Sequence, residues 1–177
     1  MEKFDVTSRL EMEPHPQGGY YKRTYVSDIE MPDGSRKTAS SMYYLLGEED
    51  ISSFHTIDTD EVWNFMYGYP LDIYIITPER HLKVFTLGTN LSIGETPQLV
   101  IPAGTLFGAI FHGGGKPGSK FLSYTSEYFT LVSCFAVPEF LPGCCRVYTK
   151  EEILKEYPDL PGLTAFFKNW KDRAQSD

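Results

Sequence analysis

The chain has 177 residues, 41% hydrophobic and 23% charged, a composition typical of a single globular domain. A net charge of −8 disfavours nucleic-acid and anionic-membrane partners, because both reward basic surfaces. No apolar run approaches the ~20 residues that cross a bilayer, and the N-terminus has no signal-peptide pattern, so we expect a cytoplasmic protein.

A short helix is predicted first, over residues 5–13, with its cap near Thr7 or Ser8. Pro14 and Pro16 follow and end it. From Tyr20 onward the hydrophobic period becomes two, which is typical of β-strands.

Turn signals rich in glycine, proline and asparagine separate a series of short predicted strands. The strands are predicted at residues 21–26, 41–46, 62–67, 71–77, 82–87, 99–101, 106–111, 120–124 and 129–137. Many short strands without intervening helices indicate a mainly β protein built as a sandwich, jelly roll or barrel.

The C-terminal part returns to helix. Thr149 and Glu152 have the spacing of a capping box, and Pro158 ends that helix. A second helix is predicted from residues 161 to 173. We therefore predict one domain over residues 1–177, with its β core at about 20–140 and a helical segment at about 149–173.

Residues 54–68, FHTIDTDEVWNFMYG, contain the pattern most informative about function. His55 and Glu61 are six residues apart, with Asp58 and Asp60 between them. On two antiparallel strands joined by a short turn, such side chains can become neighbours on one face. An imidazole beside a carboxylate can bind a metal ion or act as a general base with an orienting partner. The two aspartates fit turn residues better.

This segment and a later one resemble the two motifs of the cupin superfamily. His55, Glu61 and Gly68 match the latter part of H-x-H-x3-E-x6-G, and Pro102-Ala103-Gly104 matches the core of the second motif. The strings PHPQGGYYKRTY, SMYYLL, GETPQLVIPAG and FTLVSCFAVPEF are similar to one branch of unknown function, described as predicted sugar epimerases of the rhamnose-epimerase-like type. The resemblance implies a cupin double-stranded β-helix or jelly-roll barrel, a small-molecule pocket inside it, and a homodimer.

The chain departs from the cupin pattern at the metal positions. Those positions fall on His55, Ile57, Glu61 and Phe107, and isoleucine and phenylalanine cannot coordinate a metal. We therefore expect no metal and no cofactor. The branch usually carries a histidine after the tryptophan and a glutamine in the second motif, where this chain has Asn64 and Phe107.

Further residues are candidates for binding a ligand. Gln17 and Gly19 precede a strand, where paired glycines allow either a close approach or a tight turn. Tyr21 and Arg23 share one strand face by the period of two, and Arg23 can hold an anionic group or lie on the surface. Trp63, Asn64 and Phe107 complete the predicted set.

Two functions of different classes remain open. The first is a metal-independent epimerase or isomerase acting on a sugar or sugar nucleotide, with His55 and Glu61 as a pair. Its hydrogen-bond donor would be one of the tyrosines Tyr21, Tyr43 and Tyr44, of which Tyr44 is our choice. The second is a noncatalytic cupin that binds a small ligand through its aromatic side chains. A metal-dependent dioxygenase would need ligands from elsewhere. The predicted strand at residues 21–26 is the candidate for strand exchange in a homodimer.

Overall fold

The computed structural model describes residues 3–47, 50–112 and 128–168. The helices are α1 (Lys3–Arg9), α2 (Lys150–Glu156) and α3 (Leu163–Lys168). The strands are β1 (Glu13–Pro14), β2 (Tyr20–Val26), β3 (Ser40–Gly47), β4 (Ile51–Ile57), β5 (Asp60–Gly68), β6 (Leu71–Ile76), β7 (Leu82–Leu87), β8 (Gln98–Ile101), β9 (Leu106–Phe111), β10 (Phe129–Val137) and β11 (Cys145–Val147).

Two antiparallel sheets make up the fold. One has the order β1-β2-β3-β10-β5-β8 and the other the order β11-β4-β9-β6-β7. A cluster of buried side chains from both sheets, including Trp63, Phe107 and Ile73, lies between them. The predicted β-rich fold with short terminal helices is therefore confirmed as a jelly-roll sandwich.

The helices cover the outer faces of the sheets. Val6 of α1 packs on Leu45 and Leu131 of the six-stranded sheet. Ile153 of α2 and Phe166 of α3 belong to a cluster on the outer face of the five-stranded sheet. No helix among the described residues is long and apolar enough to span a membrane.

The helix ends agree only in part with the prediction. Thr149 caps α2 in a complete capping box with Glu152, as predicted. The predicted bounds of the N-terminal helix are wrong. The helix spans Lys3–Arg9, so Thr7 lies inside it rather than at its cap. Glu11 adopts a positive φ of 50°, which takes the chain out of the helix before Glu13–Pro14 pairs with β2.

Several strands differ from the prediction. Three observed strands are absent from the predicted set. They are Ile51–Ile57, Glu13–Pro14 and Cys145–Val147. The strand predicted at residues 120–124 and the end of the last predicted helix lie outside the described residues. Beyond Tyr20 and Tyr21, which pair with β1, no described strand pairs with the outer edge of β2. Strand exchange through this edge stays a prediction.

Gly108 of β9 allows α3 to pack closely on the sheet. A Cβ atom at this position would lie 2.9 Å from Cζ of Phe166 and 3.0 Å from the carbonyl oxygen of Ser52. We expect Gly108→Ala to lower the free energy of unfolding by about 1–3 kcal/mol, because the inserted methyl overpacks this contact. Urea denaturation measures the change.

Gly143→Ala is the matched control, since an added Cβ there would meet no atom within 4 Å. It should change stability by no more than about 0.5 kcal/mol. Equal stability of the two variants would contradict the proposed overpacking.

Candidate functional site

A pocket lies between the two sheets. Its cavity volume is about 50 Å³, room for roughly three to five water molecules at about 10–15 Å³ each. The lining residues are His15, Gln17, Arg23, Ser40, Ser41, Met42, Tyr44, Ser52, His55, Ile57, Glu61, Trp63, Cys134, Ala136, Phe140 and Cys145. Of the predicted site residues, this set brings together His55, Glu61, Tyr44, Gln17, Arg23 and Trp63.

His55 enters the pocket from β4 and is 6% exposed. Its Nδ1 lies 2.7 Å from the carbonyl oxygen of Ser53. Because a carbonyl only accepts, Nδ1 carries the proton, and neutral His55 has an unprotonated Nε2. Burial lowers the pKa of His55 from 6.5 to about 4, so the ring is neutral at pH 7. His55 is therefore a hydrogen-bond acceptor and a base at Nε2.

His15 enters the pocket from the loop before β2. The chain turns at Gly18 and Gly19, whose φ angles are 112° and 73°, and the amide of His15 donates to the carbonyl of Gly19 over 3.0 Å. The glycines are required because a Cβ on Gly19 would lie 2.3 Å from the carbonyl oxygen of Leu45. The turn places the His15 ring 4.9 Å, centroid to centroid, from the ring of Tyr44.

His15 has the opposite tautomer from His55. Its Nδ1 accepts the backbone N–H of Gln17 over 3.2 Å, so the proton of the neutral ring is on Nε2. Burial lowers the pKa of His15 from 6.5 to about 4. At neutral pH the pocket thus holds one imidazole that accepts at Nε2 and one that donates there.

Glu61 and Trp63 are two residues apart on β5, so their side chains lie on the same face of the strand, and both point between the sheets. The indole Nε1 of Trp63 donates to Oε2 of Glu61 over 2.8 Å. Burial raises the pKa of Glu61 from 4.5 to about 7, and the hydrogen bond from Trp63 opposes this shift. Near neutral pH the carboxyl group is present in both its protonated and ionised forms.

The predicted arrangement of His55 and Glu61 on a hairpin is wrong. Strand β4 pairs with β9 and β11, whereas β5 pairs with β8 and β10 in the facing sheet. Among the described residues, the hydrogen bonds of the two side chains go to Ser53 and Trp63 rather than to each other. The carbonyl of Ser53, not a carboxylate, sets the tautomer of His55. The two groups therefore occupy opposite walls of the pocket.

Tyr44 lies on β3 and is 2% exposed. Its hydroxyl donates to the carbonyl of Gly18 over 3.0 Å. Burial raises the pKa of Tyr44 above its ordinary value, so the phenol stays protonated. Since its proton is already given to Gly18, Tyr44 fixes the His15 turn. Tyr21, another candidate donor, lies outside the pocket lining, although its ring packs edge-on against His15.

The polar side chains of Gln17 and Arg23 line the pocket. The side-chain amide of Gln17 donates to Sγ of Cys145 over 3.3 Å, a weak acceptor. Arg23 donates to Oε1 of Glu139 over 3.1 Å and to the carbonyl of Phe140 over 2.8 Å.

Four predicted ligand-binding residues lie outside the lining. Gly19 closes the turn described above, and the ring of Tyr21 packs edge-on against His15. Asn64 points to the outer face of the sheet, where its Oδ1 accepts from Gln98 over 2.6 Å. Phe107 is fully buried in the core. Any ligand contact by these four residues stays a prediction.

The sequence did not identify His15, although it lies in one of the strings used for the resemblance. A histidine flanked by two prolines is typical of an ordinary loop. The available signal was the Gly18-Gly19 pair just after it, because such a pair can return the chain onto the barrel.

The four positions of the metal motif do not fit a transition metal. Ile57 and Phe107 are 2% and 0% exposed and are part of the apolar core. The Phe107 ring lies 4.2 Å from that of His55, centroid to centroid, where a coordinating residue would stand. Within the described ranges, no three His, Cys, Asp or Glu side chains are placed to hold a metal ion.

The pKa of Glu61 predicts a measurable pH dependence. The folded state binds this proton more tightly than the unfolded state, so the contribution of Glu61 to stability is lost as pH rises from 4.5 to 7. The loss is on the order of 3 kcal/mol. His15 and His55, whose pKa values are lowered by burial, make the opposite contribution: they increase the free energy of unfolding as the pH rises from 4 to 6.5. Subtracting the stability of Glu61→Gln from that of the wild type therefore isolates Glu61.

We expect that difference to fall by about 3 kcal/mol between pH 4.5 and 7.5 in urea denaturation at fixed pH values. A difference independent of pH would show that Glu61 titrates normally in the folded protein.

Comparisons with known proteins agree with this architecture. A model of the family described as "Cupin superfamily (DUF985)" matches residues 5–146. The crystal structure of protein SO0799 from Shewanella oneidensis is 34% identical, with a TM-score of 0.77 and coverage of 89% of this chain and 91% of that chain. A hypothetical protein from Leishmania major is 26% identical, with a TM-score of 0.76 and coverage of 89% and 93%.

A more distant likeness is to oxalate decarboxylase from Bacillus subtilis, 16% identical with a TM-score of 0.53, covering 84% of this chain and 36% of that one. At that identity the likeness concerns the fold alone. No curated protein matches the chain.

Proposed function

The chain belongs to the cupin superfamily, in the family described as DUF985, and from this fold and its pocket we propose that it is a metal-independent isomerase or epimerase of small carbonyl compounds. The reaction would move a proton at a carbon atom next to a carbonyl group. Such a reaction needs a base for the carbon-bound proton and a donor for the developing enolate oxygen.

The observation that carries the proposal is the placement of His55 and Glu61 on facing sheets. A flat enolate bound between these sheets would have the unprotonated Nε2 of His55 on one face and the Glu61 carboxyl group on the other. With its pKa near 7, Glu61 is available as a proton donor at neutral pH. Two proton-transfer groups on opposite faces of one carbon are the arrangement that epimerisation requires.

The proton balance is complete with the residues of the pocket. His55 takes the proton from carbon and becomes an imidazolium, while Nε2–H of His15 stabilises the enolate oxygen. Protonated Glu61 then delivers a proton to the opposite face of the carbon. A proton transfer from His55 to Glu61 through solvent restores the starting state. If the His55 imidazolium instead exchanges its proton with D₂O and returns a deuteron to the same face of the carbon, the result is exchange without inversion.

The cavity volume restricts the reacting part of the substrate. A space of about 50 Å³ admits a few non-hydrogen atoms around the reacting carbon. The rest of a sugar or sugar nucleotide would extend past Arg23, which is 42% exposed at its side chain.

Deuterium exchange tests the proposal. Purified protein in D₂O is incubated with a panel of small carbonyl compounds and keto sugars, and NMR follows the loss of the proton next to the carbonyl. We expect enzyme-dependent exchange, accompanied by inversion where that carbon is chiral. Absence of exchange across the panel, with the protein folded, would refute the function.

The alternative is a cupin that binds a small molecule without converting it. The aromatic wall favours this alternative, because Trp63 and Tyr44 pack edge to face, 5.9 Å apart between ring centroids, beside the cavity. A ligand that raises the melting temperature and is recovered unchanged, without exchange, would favour binding over catalysis.

A further inference from the structure

Arg23 is placed to bind a charged group of the substrate. It lies on β2 and lines the pocket, and it is the only lysine or arginine among the described lining residues. The carboxyl group of Glu139, whose side chain is 10% exposed, holds Nη1 of Arg23. The carbonyl of Phe140 holds Nη2. These two contacts fix the plane of the guanidinium group.

The fixed guanidinium has further donors to offer. An arginine has five N–H groups, and its hydrogen bonds to Glu139 and Phe140 are the two that Arg23 makes within the described part of the chain. Glu139 is committed elsewhere as well, because its Oε2 accepts the backbone N–H of Lys37 over 3.1 Å. A pre-oriented guanidinium with free donors is suited to an oxyanion, which it can bind through two parallel hydrogen bonds.

The polar side chain of Gln17 also faces this space. Its amide donates to the thiol of Cys145, and a thiol is a poor acceptor that an oxygen atom of a ligand can replace at little cost. Together, Arg23 and Gln17 provide donors on the side of the pocket formed by β2 and its preceding loop.

We infer that the substrate carries an oxyanion group, a carboxylate or a phosphate, which Arg23 binds while the neighbouring carbonyl carbon lies between His55 and Glu61. The substrate class is then a small oxo acid or a phosphorylated ketone. This inference rests on the proposed function, and it makes Arg23 the residue that determines specificity for charged over neutral carbonyl compounds.

The experiment compares three probes: hydroxyacetone, hydroxyacetone phosphate and 2-oxobutanoate. The first is neutral, the second carries a phosphate and the third a carboxylate. For each, deuterium exchange gives kcat and KM, and quenching of tryptophan fluorescence gives Kd. We expect the wild type to prefer at least one of the charged probes, and the preferred one identifies the oxyanion.

Arg23→Gln should raise KM and Kd for the preferred charged probe by about 10- to 100-fold, and leave those for hydroxyacetone within about twofold. Arg23→Lys should recover part of the loss, because the charge is kept while the paired hydrogen bonds are not.

Arg36→Gln is the matched control. Arg36 also holds the segment after β10, donating to the carbonyl of Glu139 over 3.4 Å and to Asp58 over 2.9 Å, but it does not line the pocket. Arg36→Gln should leave KM and Kd for all three probes unchanged. An equal loss for neutral and charged probes in Arg23→Gln, or the same loss in Arg36→Gln, would show that Arg23 only supports this segment.

The outcomes separate the inference from the proposed function. Exchange with hydroxyacetone but no preference for either charged probe would overturn the inference and leave the function standing. Charged-probe binding that depends on Arg23, without any exchange, would support the oxyanion site and overturn the function.

Discussion

Replacing His55 with glutamine should lower the rate of deuterium exchange by roughly 10²- to 10⁴-fold, the usual contribution of a positioned general base. Glutamine retains a polar side chain of similar reach, but its amide cannot take a proton from carbon. Because Nε2 is the ring nitrogen that Ser53 leaves unprotonated, the loss should appear in kcat, while the Kd of an oxyanion probe changes little.

His112→Gln is the control for this variant. His112 is a half-exposed histidine that pairs with Asp72 over 2.8 Å outside the pocket lining, and its replacement should leave the exchange rate unchanged. If His55→Gln retains the wild-type rate while remaining folded, His55 is not the base, and the proton must leave through another group.

Phe107→Ala should lower the free energy of unfolding by about 3–5 kcal/mol. The ring is fully buried, and it packs against both His55 and Trp63, with centroid distances of 4.2 Å and 6.0 Å. Truncation removes these contacts and leaves a cavity that the two sheets can close only in part. Urea denaturation at one pH measures the loss.

Val100→Ala is the comparison for the core variant, because Val100 is 54% exposed. Its effect should stay within about 0.5 kcal/mol. A small loss of stability in Phe107→Ala combined with a large loss of ligand affinity would contradict the core position and favour the ligand-binding role predicted from the sequence.

Local signals in the sequence predicted much of the fold. Hydrophobic alternation identified most strands, and the Thr149–Glu152 box identified the start of α2. The N-terminal helix was misplaced because its end depends on the pairing of Glu13–Pro14 with β2, a contact that no local pattern encodes.

The site was predicted only in part, for a related reason. The motif identified His55 and Glu61, but a short turn between two strands predicts a hairpin. Here the chain crosses from one sheet to the other at that turn, because each strand finds its partners far along the sequence. Register also decided which face of β5 looks inward, so Trp63 lines the pocket and Asn64 does not.

The position of His55 and Glu61 on facing sheets makes the reaction sensitive to the thickness of the sandwich. Facing sheets lie about 10 Å apart, and the size of the side chains between them sets that spacing. Trp63, Ile73 and Phe107 are among those side chains. A change of volume at Ile73 would therefore move His55 and Glu61 relative to one carbon atom. The ratio of inversion to exchange without inversion would then depend on the volume of the core side chains. Packing of the interior would in this way determine the stereochemical outcome.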